Sequence, residues 1–126
     1  MDSETITLYR PCGQPELDRV AASGYRCWPP RLPEQPIFYP VANEAYAAQI
    51  ARDWNTRDEA NGCVGYVTKF DLPAAYLAQF PVQQVGGSEH TEYWIPAERL
   101  DEFNGAILGK IEVIRKFTPE GEAAIG

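Results

Sequence analysis

Residues 91–96 read Thr-Glu-Tyr-Trp-Ile-Pro, and this stretch decides how the rest of the chain is interpreted. Its aromatic and β-branched residues are typical of a strand, and Pro96 ends the run. Glu92 places a carboxylate at the start of this otherwise hydrophobic strand, where an acidic side chain is unusual and suggests a specific role. The sequence therefore predicts a strand over 92–95 with a candidate catalytic carboxylate at its start.

The segments on either side of this strand support the same interpretation. Residues 85–90 read Val-Gly-Gly-Ser-Glu-His, which predicts a flexible loop that carries polar groups, His90 among them, into a cleft. After the strand, Pro96 precedes a helix predicted over 97–103, because proline is tolerated where a helix begins. We expect the chemistry of this protein in that region.

Length and charge limit the classes of function. The chain has 126 residues, which fits one domain, and 44% of them are hydrophobic, which is enough for a core. The net charge of −7 argues against a large nucleic-acid interface or an acidic membrane surface, since both require clustered Lys and Arg. No run approaches the about 18 apolar residues of a membrane span.

The cysteines and the N-terminus predict the compartment. Cys12, Cys27 and Cys63 are odd in number and lack C-x-x-C spacing, so neither a disulfide framework nor a metal site is expected. The first residues, Met-Asp-Ser-Glu, have neither the basic start nor the apolar stretch of a signal peptide. A cytoplasmic location is expected.

Hydrophobic periodicity predicts the remaining elements. Strands are predicted over residues 6–10, 37–41, 64–70, 81–85 and 110–117, and helices over 15–22, 43–55 (with Asn43 as N-cap) and 71–79. The crossovers are short, so we predict a single-domain α+β fold with mixed or antiparallel sheets over residues 1–117. The polar tail over 118–126 is expected to fray. Trp54 and Trp94 are predicted core anchors.

A proline-rich segment interrupts this pattern. Residues 28–36 contain four prolines, which exclude a helix interior and a central strand. An ordered loop or a polyproline-like wrap is predicted there, and it is expected to be rigid, since proline restricts the chain before it folds.

Four short motifs, taken in order, resemble the mono-ADP-ribosyltransferase superfamily. The sequence looks especially like small bacterial proteins named "ADP-ribosylation/crystallin J1", and the resemblance covers roughly residues 5–117. The motifs are Leu-Tyr-Arg at 8–10, Ile-Phe-Tyr-Pro at 37–40 before a helix, Gly-Tyr-Val-Thr-Lys-Phe at 65–70, and Glu-Tyr-Trp-Ile-Pro at 92–96. The resemblance implies a split pair of sheets that binds NAD in the cleft between them.

The resemblance also implies roles for the residues that bind NAD. Arg10, with Tyr9 beside it, would hold a phosphate or ribose, since a guanidinium grips a phosphate with two parallel bonds. Tyr39, with Phe38, would form the nicotinamide pocket. The Phe-Tyr-Pro at 38–40 departs from the Ser-Thr-Ser of the arginine-modifying branch.

The catalytic roles implied by the resemblance fall on Glu92 and His90. Cleavage of the nicotinamide–ribose bond passes through an oxocarbenium-like transition state, which a carboxylate stabilises, and no metal is expected. His90 stands two residues before Glu92, where many members of the superfamily place a Gln or Glu that selects or activates the acceptor.

Each of these residues also has a structural interpretation. On that view Glu92 is a solvated strand-end carboxylate, Arg10 closes a surface ion pair, and His90 is a surface residue.

The motifs and the resemblance lead to three hypotheses on function. The first is an NAD-dependent transfer of ADP-ribose to an unknown protein or nucleotide acceptor, or the hydrolysis of NAD. The alternative is a non-catalytic module of the same fold that binds a protein or nucleotide, and a toxin of a bacterial conflict system is a third possibility.

Overall fold

The computed structural model describes residues 4–30, 36–84 and 91–125. The predicted loop over 85–90, with His90, and residues 31–35 of the proline-rich segment lie outside the described residues. Four α-helices are described: α1 (Gln14–Ala22), α2 (Glu44–Asp53), α3 (Ala74–Leu77) and α4 (Leu100–Ala106). The strands are β1 (Thr5–Cys12), β2 (Ile37–Phe38), β3 (Gly65–Pro73), β4 (Val82–Gln84), β5 (Thr91–Tyr93), β6 (Ile95–Pro96), β7 (Leu108–Thr118) and β8 (Gly121–Ala123).

The strands form one larger antiparallel sheet and two small ones. The larger sheet has the order β1-β3-β7-β8, and the small ones pair β2 with β6 and β4 with β5. Leu8 of β1 stands opposite Phe70 of β3. The predicted α+β class with antiparallel sheets is confirmed.

Residues 40–42 connect the larger sheet to the β4–β5 hairpin. Val41 exchanges two backbone hydrogen bonds of 2.8 Å with Tyr9 of β1. On its other side the segment bonds to β5, where the Ala42 N–H donates to Thr91 and the Tyr93 N–H donates to the carbonyl of Pro40. The strand that carries Glu92 is therefore tied through Val41 to the main sheet.

Both faces of β3 are buried, because the core divides into two clusters around it. The larger cluster includes Leu8, Phe70 and Phe103, together with Trp28 of the proline-rich segment. In the smaller cluster, Val67 of β3 packs against the alanines of α2. Close packing of α2 on β3 depends on Gly65, since a Cβ at this position would lie 2.4 Å from the carbonyl oxygen of Ala51.

The predicted strand over 92–95 is wrong in one respect, because it divides at Trp94. Its first part, β5, pairs with β4, and its second part, β6, pairs with β2. Between them the backbone N–H of Trp94 donates to the carbonyl of Pro81. The chain thus passes from one small sheet to the other at a single residue.

Two predicted helix starts are displaced by strand pairing. The helix predicted over 71–79 is confined to α3, because β3 continues to Pro73 opposite Thr5 of β1. The Thr7 hydroxyl donates to the Asp71 carboxylate at 2.6 Å and supports this extension. The helix predicted over 97–103 begins with a 3₁₀ turn (Ala97–Arg99) before α4.

Two other expectations are corrected. The tail does not fray throughout, since β8 pairs with the end of β7 and Glu122 binds Arg115. Trp54 is not a core anchor, because it follows the last turn of α2 and is 70% exposed.

Within the described residues, no helix combines the length and apolarity needed to cross a membrane.

Candidate functional site

A cavity of about 490 Å³ brings together three of the residues predicted to act. It is lined by Arg10, Pro11, Tyr39, Val41, Ile50, Asn55, Glu92 and Trp94. Arg10, Tyr39 and Glu92 come from widely separated parts of the chain and meet here. We call this cavity the Glu92 cleft.

Local structure explains how these side chains reach the cleft. At the end of β2 the side chains alternate between the two faces, so that Phe38 is buried in the core and the next residue, Tyr39, is 38% exposed. Val41 pairs with Tyr9 of β1 on one side and with Glu92 of β5 on the other, and this pairing brings Glu92 and Arg10 to the same cavity. The pairing of the strands therefore determines which side chains line the cleft.

The carboxylate of Glu92 is held by two donors. The Tyr46 hydroxyl donates to Oε2 at 3.1 Å, and the indole N–H of Trp94 donates to Oε1 at 3.0 Å. Asn43 orients Tyr46 by capping α2, since its side chain accepts from the Tyr46 backbone N–H at 3.0 Å. Burial, followed by the charge of Glu92, raises the pKa of Tyr46, so its hydroxyl stays a donor. The carboxylate of Glu92 is thus held in a fixed orientation, with both oxygens bonded.

Arg10 is already bound to a carboxylate of the protein. Its Nε donates to Glu16 at 2.5 Å and its Nη2 donates to the second carboxylate oxygen at 3.0 Å. The guanidinium carbon lies 4.6 Å from the ring centroid of Phe38 and 5.6 Å from that of Trp28. Burial acts to lower the pKa of Arg10, but the charge and hydrogen bonds of Glu16 outweigh it, so the pKa is raised. Arg10 is a paired, permanent cation in the wall of the cleft.

Tyr39 and Trp94 form an aromatic side of the cleft. Their ring centroids are 5.7 Å apart and their planes meet at 88°. Trp94 is half-buried, so the predicted core anchor is a cleft residue instead. An aromatic pair beside a fixed carboxylate is an environment that stabilises positive charge.

Asn55 is a cleft residue that the sequence did not reveal. It begins the 3₁₀ turn after α2 (Asn55–Arg57), and its Oδ1 is buried with no hydrogen-bond partner in the described part of the chain. A buried acceptor without a donor is costly, and this oxygen has almost no accessible surface although Asn55 itself lines the cleft. An asparagine at a helix end usually serves the backbone, and no sequence signal distinguished this one.

Other predicted residues lie outside the lining of the cleft. Phe38 is 1% exposed and contributes indirectly, as the surface on which Arg10 rests. Tyr9 is half-buried and packs with the smaller core cluster, while its backbone bonds to Val41. His90 is outside the described residues. Among the residues that the structure does describe, no cluster of three or more His, Cys, Asp or Glu has the arrangement of a metal site.

A second cavity, of about 860 Å³, is larger but contains none of the predicted site residues. Its lining includes Arg19, Arg26, Trp28 and Asp101. The indole N–H of Trp28 is buried without a partner among residues 4–30, 36–84 and 91–125. The Glu92 cleft is the better candidate site, because it combines a fixed carboxylate and an aromatic side with three of the predicted residues.

Comparison of the chain with models of known protein families, with curated proteins and with solved structures finds no match.

Proposed function

We propose that this protein has an ADP-ribosyltransferase-like fold, binds NAD in the Glu92 cleft and cleaves its nicotinamide–ribose bond. The ADP-ribosyl group would pass to an acceptor, a protein or a nucleotide, or to water. The observation that carries the proposal is the carboxylate of Glu92, fixed by Tyr46 and Trp94 in the cavity that also contains Tyr39 and Arg10.

In the proposed reaction, Glu92 stabilises the developing positive charge. As the bond between ribose C1′ and the nicotinamide nitrogen breaks, its electron pair leaves with nicotinamide and the ribose becomes oxocarbenium-like. An ionised carboxylate beside that ribose lowers the barrier, since its position is set before the reaction begins. The oxygen of water, or an oxygen or nitrogen of the acceptor, then bonds to C1′ and loses a proton.

The aromatic residues of the cleft fit the leaving group. Tyr39 and Trp94 present two perpendicular ring surfaces next to Glu92. A planar ring bound against them would be oriented and shielded from water, which favours departure along one direction.

A second candidate function is a non-catalytic module that binds a protein or nucleotide through this cleft. The pairing of Arg10 with Glu16 favours it, because a guanidinium that already donates to a carboxylate has fewer donors left for a phosphate. In the enzyme, NAD would have to use the remaining N–H groups of Arg10 or displace Glu16.

Nicotinamide release from NAD distinguishes the two functions. We expect the wild type to release nicotinamide and Glu92→Gln to release it at least about 100-fold more slowly, since one preorganised group contributes on the order of 3 kcal/mol. Glu98→Gln is the matched control, because Glu98 is exposed on the 3₁₀ turn before α4.

Equal rates for the wild type and Glu92→Gln would contradict the proposed catalytic role. Saturable binding of NAD without release of nicotinamide, with or without candidate acceptors, would favour the binding module. Thermal melting of all three proteins checks that the substitutions leave the fold intact.

A further inference from the structure

The cavity of about 860 Å³ has the properties of a second binding site. It is lined by residues of α1, of α4 and of the segment 26–30. Its wall is mainly apolar, with Ala22, Pro29 and Ile107 among the lining residues, and two arginines, Arg19 and Arg26, add polar groups. Small-molecule sites usually combine such a volume with an apolar wall and a few polar groups. We call this cavity the Arg19 pocket.

The two arginines of this pocket have no counter-ion in the described part of the chain. Four other arginines form ion pairs with a carboxylate: Arg10, Arg52, Arg99 and Arg115. Within residues 4–30, 36–84 and 91–125, the arginines in no ion pair are Arg19, Arg26 and Arg57. Asp101 also lines the pocket, but no ion pair joins it to either Arg19 or Arg26. Two guanidinium groups are therefore available to a ligand.

The wall that carries Arg26 is held in place by side-chain hydrogen bonds. The Ser23 hydroxyl accepts from the backbone amides of Arg26 at 3.2 Å and Cys27 at 3.0 Å. Asn104 of α4 bonds twice to Trp28, because its Oδ1 accepts from the amide at 2.9 Å and its Nδ2 donates to the carbonyl at 3.0 Å. A pocket whose wall is ordered before binding loses less entropy when a ligand enters it.

These groups complement an organic anion. Guanidinium groups donate hydrogen bonds and accept none, and their strongest partners are oxyanions such as carboxylates. An apolar wall excludes water and strengthens that attraction, and it also favours a ligand with an apolar body. The net charge of −7 repels anions at longer range, so binding of an anion has to depend on cations within the pocket.

We infer that the Arg19 pocket is a second ligand site, which binds a small organic carboxylate through Arg19 and Arg26 and packs its apolar body against Pro29 and Ile107. The inference does not depend on the reaction proposed for the Glu92 cleft, because the two cavities share no lining residue. A neutral ligand of the same shape lacks the charge, and a small anion lacks the apolar contacts.

Three probes separate the two contributions. 2-Naphthoate has the carboxylate and an apolar body, 2-naphthamide has only the apolar body, and acetate has only the carboxylate. We expect 2-naphthoate to bind the wild type about tenfold more tightly than 2-naphthamide and at least about tenfold more tightly than acetate. Protein-observed NMR titration measures the affinities, and the largest shifts should fall on amides of lining residues such as Ala22, Cys27 and Gly105.

Variants assign the preference for charge to the two arginines. The double variant Arg19→Gln/Arg26→Gln should bind 2-naphthoate and 2-naphthamide equally, with the affinity for 2-naphthamide unchanged. Arg57→Gln is the matched control, since Arg57 is also exposed and in no ion pair among the described residues but lines a different cavity. It should retain the preference. Both substituted arginines are exposed, so the double variant should melt like the wild type.

Several results would overturn the inference. Equal affinities of the wild type for 2-naphthoate and 2-naphthamide, no saturable binding of 2-naphthoate, or shifts confined to residues outside the lining would each do so. A preference for charge that persists in the folded double variant, or one that Arg57→Gln removes as completely, would also contradict the role of Arg19 and Arg26.

Discussion

The guanidinium of Arg10 lies against the carboxylate of Glu16, with Nε 2.5 Å from one oxygen and Nη2 3.0 Å from the other. The side chain of Arg10 is 12% exposed and that of Glu16 is 22% exposed. A two-bond ion pair at this depth is costly to break from one side, because a buried charge is then left uncompensated.

Loss of this pair should therefore destabilise the fold. We expect Glu16→Gln to lower the free energy of unfolding by about 2 kcal/mol in urea denaturation. Glu122→Gln is the matched control, since Glu122 also forms two bonds to an arginine but its pair with Arg115 is more exposed, and it should cost less than about 0.5 kcal/mol. Similar costs for the two variants would mean that Arg10 does not depend on Glu16.

The hydroxyl of Tyr46 should support turnover by holding the Glu92 carboxylate in place. In the proposed enzyme, Tyr46→Phe removes one of the two donors that fix the carboxylate, so kcat should fall about tenfold with little change in KM or melting temperature. Tyr66→Phe removes a comparable hydroxyl, which donates to Gln14 at 2.7 Å, and should leave kcat unchanged. A larger effect on KM than on kcat would argue against an orienting role.

Gly65 and Gly105 should respond oppositely to alanine. At Gly65 a Cβ would lie 2.4 Å from a backbone oxygen of α2, so Gly65→Ala should cost about 3 kcal/mol as the helix is forced away. Gly105 lies in α4 with open space around it, so Gly105→Ala should stabilise by about 0.5 kcal/mol. Denaturant unfolding of both variants tests this, and a tolerated alanine at Gly65 would contradict the close packing of α2 on β3.

Two of the cysteines should differ sharply in reactivity. Cys12 is 3% exposed, and burial raises the pKa of its thiol well above the usual range, so the reactive thiolate is scarce. Cys27 is exposed. With a disulfide reagent at neutral pH, Cys27 should react promptly and Cys12 only when the protein unfolds. Comparison with the wild type assigns the thiols: Cys27→Ser should lose a promptly reacting thiol, and Cys12→Ser should lose only one that reacts on unfolding. Prompt reaction of Cys12 in the folded protein would contradict its burial.

Tyr76 should make stability depend on alkaline pH. Burial and its hydrogen bond to Glu102 raise the pKa of Tyr76 from an ordinary 10.0 to about 12. The folded form therefore holds its phenolic proton more tightly, and this contribution to stability is complete below pH 10.0 and is lost as the pH rises towards about 12. Tyr76→Phe should remove that part of the pH dependence and one late-titrating phenolate absorbance. Identical alkaline profiles for the two proteins would contradict the shift.

Local patterns were sufficient to predict the elements that local interactions determine. The alternation in β1 and β3 and the cap at Asn43 are properties of neighbouring residues, and the structure contains all three. The meeting of Arg10, Tyr39 and Glu92 in one cavity was expected through the resemblance of short motifs, since spacing alone does not bring distant strands together.

Features that depend on tertiary context were predicted poorly. The change of partner at Trp94 depends on which strands lie on either side of it, and the exposure of Trp54 depends on where α2 ends relative to the core. Likewise, the counter-ion of Arg10 comes from the packing of α1 and not from any motif. Asn55 was missed because an unfilled acceptor is visible only when every possible donor has been placed around it.

The backbone bonds of residues 40–42 have a consequence for the motions of the cleft. The strand of Glu92 can separate from β1 only if one of two pairs of bonds breaks: the pair donated by the amides of Tyr9 and Val41, or the pair donated by those of Ala42 and Tyr93. Either step breaks two backbone bonds together, so hydrogen–deuterium exchange at these four amides should be slower than at amides without a backbone partner. Displacement of the Glu92 carboxylate by backbone motion would thus be coupled to a two-bond opening and not to the fraying of a single bond.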